Sequence, residues 1–258
     1  HLDHLVLDEA DRMLDMGFYE DILRIISYLP KKRQTLLFSA TMPPKIRALA
    51  GRILNDHEQV NVAISKPAEG IVQQAYLTYD QQKVALIRHV LNENVVNSVI
   101  IFASTKENVR NLASVLHREG LSVKAFHSDL EQTERENILR QFKHRQISIL
   151  VGTDVLSRGI DVEGINLVIN YDVPSDPEDY IHRIGRTARA ETTGVAVTLI
   201  NEKDQQKFFR IENLIGKEIP KIPLPEGFSE APVYSPEVNK SSPTNRKRWM
   251  GKKKFAKN

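Results

Sequence analysis

The chain has 258 residues, 41% hydrophobic and 27% charged, with a formal net charge of +3 and no cysteine. These values suit one large soluble domain or one and a half ordinary ones, and they exclude disulfides and thiolate metal sites. No apolar run approaches the length that spans a bilayer and no signal peptide precedes the first apolar run, so a cytoplasmic protein without membrane contact is expected.

The charge is unevenly spread. Residues 219 to 258 hold nine Lys/Arg against three Glu, so a basic end follows a mildly acidic body. A polyanionic partner held partly by that end is one reading, and a solubilising end is the other. The chain starts at His1 rather than a methionine, which reads as a fragment.

Strand-like runs alternate with helix-period segments. HLVLD (4 to 8), TLLFSA (35 to 40) and VNVAI (60 to 64) come first, followed by VQQAYLTY (72 to 79), SVIIFA (98 to 103) and SVKAF (122 to 126). ISILVGT (147 to 153), INLVINY (165 to 171) and GVAVTLI (194 to 200) complete the series. Several are continuous β-branched runs, as in strands buried on both faces. Between them lie amphipathic stripes, Ile22, Ile25, Ile26 and Leu29 in one and Ile46, Leu49, Ala50, Ile53 and Leu54 in another. The alternation predicts an α/β fold with parallel sheets. SKPAEG marks a linker over 65 to 71, separating a segment 1 to 64 with too few strands to close a core from a complete α/β domain over 72 to 218. From 219 onward Pro, Ser, Asn and Lys dominate, predicting a basic disordered tail.

In the order of the chain, DEAD places Asp8 and Glu9 just past a strand, at the end where open α/β sheets bind ligands. An Asp there can hold Mg2+ through a water while the Glu orients or deprotonates an attacking water; an acidic helix start is the plainer alternative. SAT offers Ser39 and Thr41 at another strand end, where capping is the ordinary role. HSDLEQTER puts Gln132 and Arg135 three apart at a helix start, suited to a nucleic-acid phosphate or to a solvated face. In GTDVLSRGIDV, Gly152 and Thr153 can approach a phosphate and Asp161 a ribose hydroxyl; an Arg158–Asp161 ion pair is the alternative. In YIHRIGRTARA, Arg183, Arg186 and Arg189 recur every third residue, which on a helix gives one cationic face for a triphosphate, unless Asp176, Glu178, Asp179 or Glu191 pairs with it.

The order DEAD, SAT, VIIFAST, Q-x-x-R, T-D-x-x-x-R-G-I-D and H-R-I-G-R-T-x-R resembles the DEAD-box RNA helicases, and DRMLDMGF with the short basic tail resembles their bacterial RhlE-type branch. The resemblance implies RecA-like parallel sheets: the C-terminal part of one RecA-like domain, then a complete second one. It implies ATP and Mg2+ as cofactors and RNA, largely without sequence preference, as partner of a monomeric enzyme. Asp8 and Glu9 would serve Mg2+–ATP and hydrolysis, with Asp11, Ser39, Thr41 and His182 coupling hydrolysis to strand separation. Asp161 would touch the ribose, Arg186 and Arg189 would be arginine fingers, and Thr105, Gln132, Arg135, Gly152 and Thr153 would meet the RNA backbone. The tail, with Trp249 and Phe255 among its cations, would add structured RNA.

Two positions depart from the family pattern, Ser128 and Ala188, each where glycine is usual. No G-x-x-x-x-G-K-[ST] occurs, so the chain alone is expected to lack ATPase activity. A non-catalytic RNA-binding piece and a DNA-directed helicase of the same superfamily are the competing readings.

Overall fold

A computed structural model describes residues 1–61, 67, 70–93, 97–156, 162, 164–187 and 194–236. The chain divides into two compact units, His1–Lys66 and Pro67–Asn258.

In the first unit, β1 (His4–Leu7) and β2 (Gln34–Leu37) pair in parallel, His4 opposite Gln34 and Leu7 opposite Leu37. Helices α1 (Ala10–Asp15), α2 (Tyr19–Ser27) and α3 (Pro44–Ile53) pack on one side of this pair. The strand period of two sends Leu7 and Leu37 towards the helical core of Ala10, Leu14, Ile22, Ile46, Leu49 and Ile53. Val6 and Leu36 therefore stand exposed on the opposite face. Helix α1 stops at Gly17, whose φ of 83° suits glycine. There Gly17 N–H bonds the Leu14 carbonyl and Phe18 N–H the Met13 carbonyl, a Schellman closure.

Two expectations fail in this unit. Val60 and Asn61 form no strand, and positions 62 to 64 of the expected third strand lie outside the described residues. Ile25 is 57% exposed, because the buried face of α2 is centred on Ile22 and Ile26 and turns towards Tyr19 and Leu23 instead.

The second unit holds a six-stranded parallel sheet. Its strands are β3 (Ile71–Leu77), β4 (Val99–Phe102), β5 (Val123–Phe126), β6 (Ile149–Gly152), β7 (Leu167–Asn170) and β8 (Gly194–Ile200). Their spatial order is β3-β8-β7-β4-β6-β5. Every residue of β4, β6 and β7 is buried, which is why these segments read as unbroken apolar runs.

Helices α4 (Lys83–Glu93) and α5 (Lys106–Arg118) cover the face that receives Ile101, Val151, Ile169 and Leu199. On the other face lie α6 (Gln132–Lys143), against Ile100, Phe102 and Leu150, and α7 (Pro177–Ile184) with α8 (Gln205–Ile215), against Ala75, Ala196 and Ile200. From β4 the chain proceeds towards β5 on one side, and from β7 towards β8 on the other. The gap between the carboxyl ends of β4 and β7 is thus a topological switch point, where such sheets bind ligands. No helix of the described residues is long and apolar enough to cross a membrane.

The stretch after α8 corrects the reading of everything from 219 as disordered tail. Residues 219–236 form a strap on the second unit. Ala75 N–H donates to the Pro220 carbonyl (2.9 Å) and Ile222 N–H to the Ala75 carbonyl (2.7 Å), which seals the outer edge of β3. Further on, Gln82 binds Ser229, Gln205 binds the Val233 carbonyl and the Ser235 amide, and Tyr234 donates to Glu212 (2.7 Å). Glu212, nearly buried, also accepts from Ile219 N–H and pairs with Lys221, whose ammonium lies over the Tyr234 ring. Burial and Glu212 together raise the Tyr234 pKa, so its hydroxyl stays a donor. Positions 237–258 lie outside the described residues.

Candidate functional site

In the first unit, parallel pairing brings the ends of β1 and β2 side by side. Phe38 N–H reaches the Leu7 carbonyl (2.7 Å) and Ala10 N–H the Phe38 carbonyl (3.0 Å), which places DEAD next to SAT. The Asp11 carboxylate joins them. One oxygen accepts from the Thr41 amide and the Thr41 hydroxyl, both at 3.1 Å, and the other accepts from Arg12 N–H. Ser39 Oγ accepts from Asp11 N–H (3.1 Å) and donates to the Thr41 carbonyl (2.8 Å). Three hydrogen bonds thus join two turns whose residues are about thirty apart in sequence, and two more hold each turn locally. Capping, the ordinary role of SAT, falls elsewhere, since the N-cap of α3 is Pro43.

Asp8 and Glu9 are both exposed at the end of β1. Glu9 N–H donates to Asp8 Oδ1 at 2.9 Å. Glu9 itself adopts φ 48° and ψ 48°, left-handed backbone that an L-residue enters at a cost of about 1–3 kcal/mol. Held there, the chain turns sharply from strand to helix and presents two adjacent carboxylates to solvent. Among the described residues no cluster of three or more His, Asp or Glu could enclose a metal ion by itself.

In the second unit, the carboxyl ends of β4, β6 and β5 are neighbours, and they carry Thr105, Gly152–Thr153 and the loop to Gln132. Thr105 caps α5, its hydroxyl accepting from Asn108 N–H at 3.1 Å. Gln132 donates to Glu136 (2.8 Å), and Arg135 Nε donates to the Leu130 carbonyl (3.0 Å). Gly152 has a packing reason to be glycine: a Cβ there would sit 2.7 Å from Leu156 Cδ2. Its approach to a phosphate is therefore not needed to explain its identity. Thr153 is half-buried beside it, its carbonyl accepting from Leu156 N–H.

His127, at the end of β5, is buried, and Nε2 accepts from Arg110 Nε (3.2 Å). Burial first, then the Arg110 charge, lowers its pKa, so the neutral ring is favoured.

The three-arginine face breaks up. Helix α7 ends at Ile184, and Arg183 is 1% exposed rather than aligned with Arg186 at the surface. Its Nε donates to Asp154 (2.6 Å), and its NH1 donates to Asn170 Oδ1 (3.2 Å) and to the Asp172 carbonyl (2.9 Å), with the guanidinium 5.1 Å from the Phe102 ring centroid. These partners lie outside the set of acidic residues weighed from the sequence, of which Glu191 lies outside the described residues. His182 is exposed on α7 and Arg186 is half-buried just beyond it, Nε donating to the His182 carbonyl at 3.4 Å. Arg189 and Asp161 lie outside the described residues, as does Arg158.

Sequence reasoning missed the polar residues around Arg183: Asp154, Asp172 and Lys83. Lys83 is 1% exposed and bonds Asp80 (3.1 Å) and Asp172 (3.2 Å). Burial alone would lower its pKa, but the two carboxylates prevail and raise it, so the ammonium stays charged. The one available signal was an acid in T-D and a base in H-R, opposite charges in two separate motifs.

This arrangement of acidic turn, hydroxyl turn and parallel second sheet has clear counterparts. Residues 1–49 match the family described as DEAD/DEAH box helicase, and residues 82–191 match the helicase conserved C-terminal domain. The chain is 42% identical over 226 residues to the DEAD-box ATP-dependent RNA helicase CshA of Geobacillus kaustophilus, covering 87% of this chain and 48% of that protein. It is 41% identical over 228 residues to the ATP-dependent rRNA helicase RRP3 of Candida albicans, covering 87% and 42%.

Among solved structures, S. cerevisiae Dbp5 bound to RNA and ADP BeF3 superposes with a TM-score of 0.77 at 32% identity, over 86% of this chain and 61% of that one. Mss116p bound to ssRNA and AMP-PNP gives 0.74 at 33% identity, over 86% and 48%. The chain belongs to the DEAD-box RNA helicase family. It spans about half the length of the curated relatives it matches.

Proposed function

We propose that the protein is an ATP-dependent RNA helicase that remodels RNA duplexes by coupling ATP hydrolysis to its grip on one strand. The observation that carries this reading is the Asp11 carboxylate, which binds DEAD to SAT through Thr41 at 3.1 Å. A change at the hydrolytic carboxylates can thereby reach the turn assigned to strand separation. The relatives' names and the RNA- and nucleotide-bound neighbours support the same substrates.

Asp8 would hold Mg2+ through water. Its fit rests on an exposed carboxylate at a strand end with only Oδ1 engaged, by the Glu9 amide, which leaves Oδ2 for a hydrated cation already bound to phosphates. Mg2+ would supply neutralisation of the developing phosphate charge. Glu9 would orient or deprotonate the attacking water, and Arg186 and Arg189 would stabilise the transferring phosphoryl group with planar forks. Asp161 would accept from the ribose, and His182 would join the coupling set. Thr105, Gln132, Arg135, Gly152 and Thr153 would follow the RNA backbone, giving little sequence preference.

The domain assignment follows: residues 1–64 as the C-terminal part of an ATP-binding domain, a linker over 65–71, and a second domain. The strap extends that second domain to 236. The bacterial relative named above is a CshA protein, which favours a CshA-like over an RhlE-like subtype.

The test is RNA-stimulated ATP turnover of the full-length protein carrying Arg186→Ala. An arginine finger contributes about 10³- to 10⁵-fold, so turnover should nearly vanish. Activity within a few-fold of the parent overturns the role given to Arg186. Matched RNA and DNA strands as activators separate an RNA enzyme from a DNA-directed one.

A further inference from the structure

At the switch point between β4 and β7, one carboxylate performs two separable tasks. Asp172 follows β7 and is 13% exposed. Its Oδ1 accepts from Lys83 Nζ at 3.2 Å. Its Oδ2 accepts from the backbone amide of Ser104 at 2.8 Å and, more weakly, from Asn108 Nδ2 at 3.4 Å.

Ser104 N–H occupies a particular place in the chain. Ala103 N–H still belongs to the sheet, donating to the Gly152 carbonyl at 3.0 Å, and Thr105 already caps α5. Ser104 lies between them in the turn, and its amide donates to the Asp172 carboxylate rather than to a ladder or helix carbonyl. Asp172 supplies that partner from the neighbouring strand and so fixes the direction in which the chain leaves β4. Beyond the turn lie Thr105, Lys106 and Arg110, the last two paired with Asp129 after β5. Lys83 sits on the other side of the carboxylate, 4.8 Å from the Tyr171 ring centroid and far from the turn in sequence. Its pairing answers a different need, that of a buried ammonium.

We propose that Asp172 is a positioning residue for RNA binding: by accepting the Ser104 N–H it sets the β4–α5 turn so that Thr105 meets the RNA backbone, while its pairing with Lys83 serves stability alone. The proposal rests on the reading of Thr105 as an RNA contact. Its consequence is that acceptor and charge can be removed independently.

The experiment uses the 258-residue chain and a fluorescent single-stranded RNA, with binding read by anisotropy at fixed salt. Lys83→Met/Asp172→Asn removes both charges and keeps an acceptor for Ser104. Lys83→Met/Asp172→Ala removes the same charges and the acceptor as well. The first should bind RNA within about twofold of the parent and the second about tenfold more weakly, the scale of one lost hydrogen bond in an aligned contact. Amide exchange at Ser104 should be protected in the first and fast in the second. Asp172→Ser in the same background, too short to reach Ser104, replaces the alanine variant should that one not fold, with the same loss expected. Equal affinities for the acceptor-bearing and acceptor-deleted variants, or equal protection of Ser104, overturn the role of Asp172. A parent chain that fails to bind RNA overturns instead the RNA reading on which it rests.

Discussion

Arg183 is where the second unit should be most sensitive to a single change. Arg183→Met keeps most of the stem volume but removes the guanidinium from a site where the residue is 1% exposed. Three acceptors then lose this donor: Asp154, the Asn170 side chain and the Asp172 carbonyl. Breaking a buried ion pair typically costs about 3–5 kcal/mol. Asp154 is 29% exposed and can recover part of its hydration, whereas Asn170 is fully buried and cannot. The lower end, about 3 kcal/mol, follows. For a chain of this size that corresponds to a fall in Tm of about 6–12 °C.

Arg183→Lys keeps the charge for Asp154 but lacks a planar fork that also reaches Asn170 and Asp172, so a loss of about 2 kcal/mol is expected. Urea unfolding followed by far-UV circular dichroism measures both, with the m-value as a check that the unfolded state is unchanged. A methionine variant within about 1 kcal/mol of the parent would refute the reasoning, since three deleted hydrogen bonds, one to a charged and one to a fully buried partner, cannot cost so little.

Two further outcomes follow from groups described above. Because burial and Arg110 lower the His127 pKa, the unfolded chain takes up a proton as pH falls below about 6.5 that the folded chain refuses. Stability should therefore drop from pH 6.5 downward, and His127→Gln should flatten that drop; identical profiles of Tm against pH for the two proteins would count against it. Removal of residues 237–258, which hold eight Lys/Arg and one Glu, should weaken RNA binding and lower its salt slope by about 0.7 for each phosphate that the basic end had neutralised. Cutting after Gly227 instead should also lower Tm, because it strips Ser229 and Tyr234 from the strap. RNA binding with an unaltered salt slope after removal of 237–258 would exclude the basic end from the interface.

The sheet of the second unit was readable because its central strands are buried on both faces, so Val99–Phe102 and Leu167–Asn170 carry almost no polar interruption to obscure them. The acidic and hydroxyl turns were readable as motifs. Their joining through Asp11 was not, since no spacing rule relates positions thirty residues apart on different strands. Arg183 was misplaced because a spacing of three presumes a helix running through Arg189, whereas α7 closes at Gly185. The strap was misread because Pro and Lys suggest disorder by composition. At a sheet edge, proline is well tolerated, and here the Pro220 carbonyl rather than an N–H does the pairing. Lys83 and Asp172, 89 residues apart, show the same limit: charge type is visible in a sequence, and the partner is set only by the crossing of strands.

The left-handed backbone at Glu9 has a consequence for anyone who would engineer this protein. Glycine is the residue most at ease in that conformation, so Glu9→Gly would relax the turn while deleting the carboxylate that the hydrolytic reading requires. On that reading, residue 9 is a position where ruggedness and catalytic competence select opposite amino acids, and a search guided by thermal tolerance alone would trade the proposed hydrolytic carboxylate for a more relaxed turn.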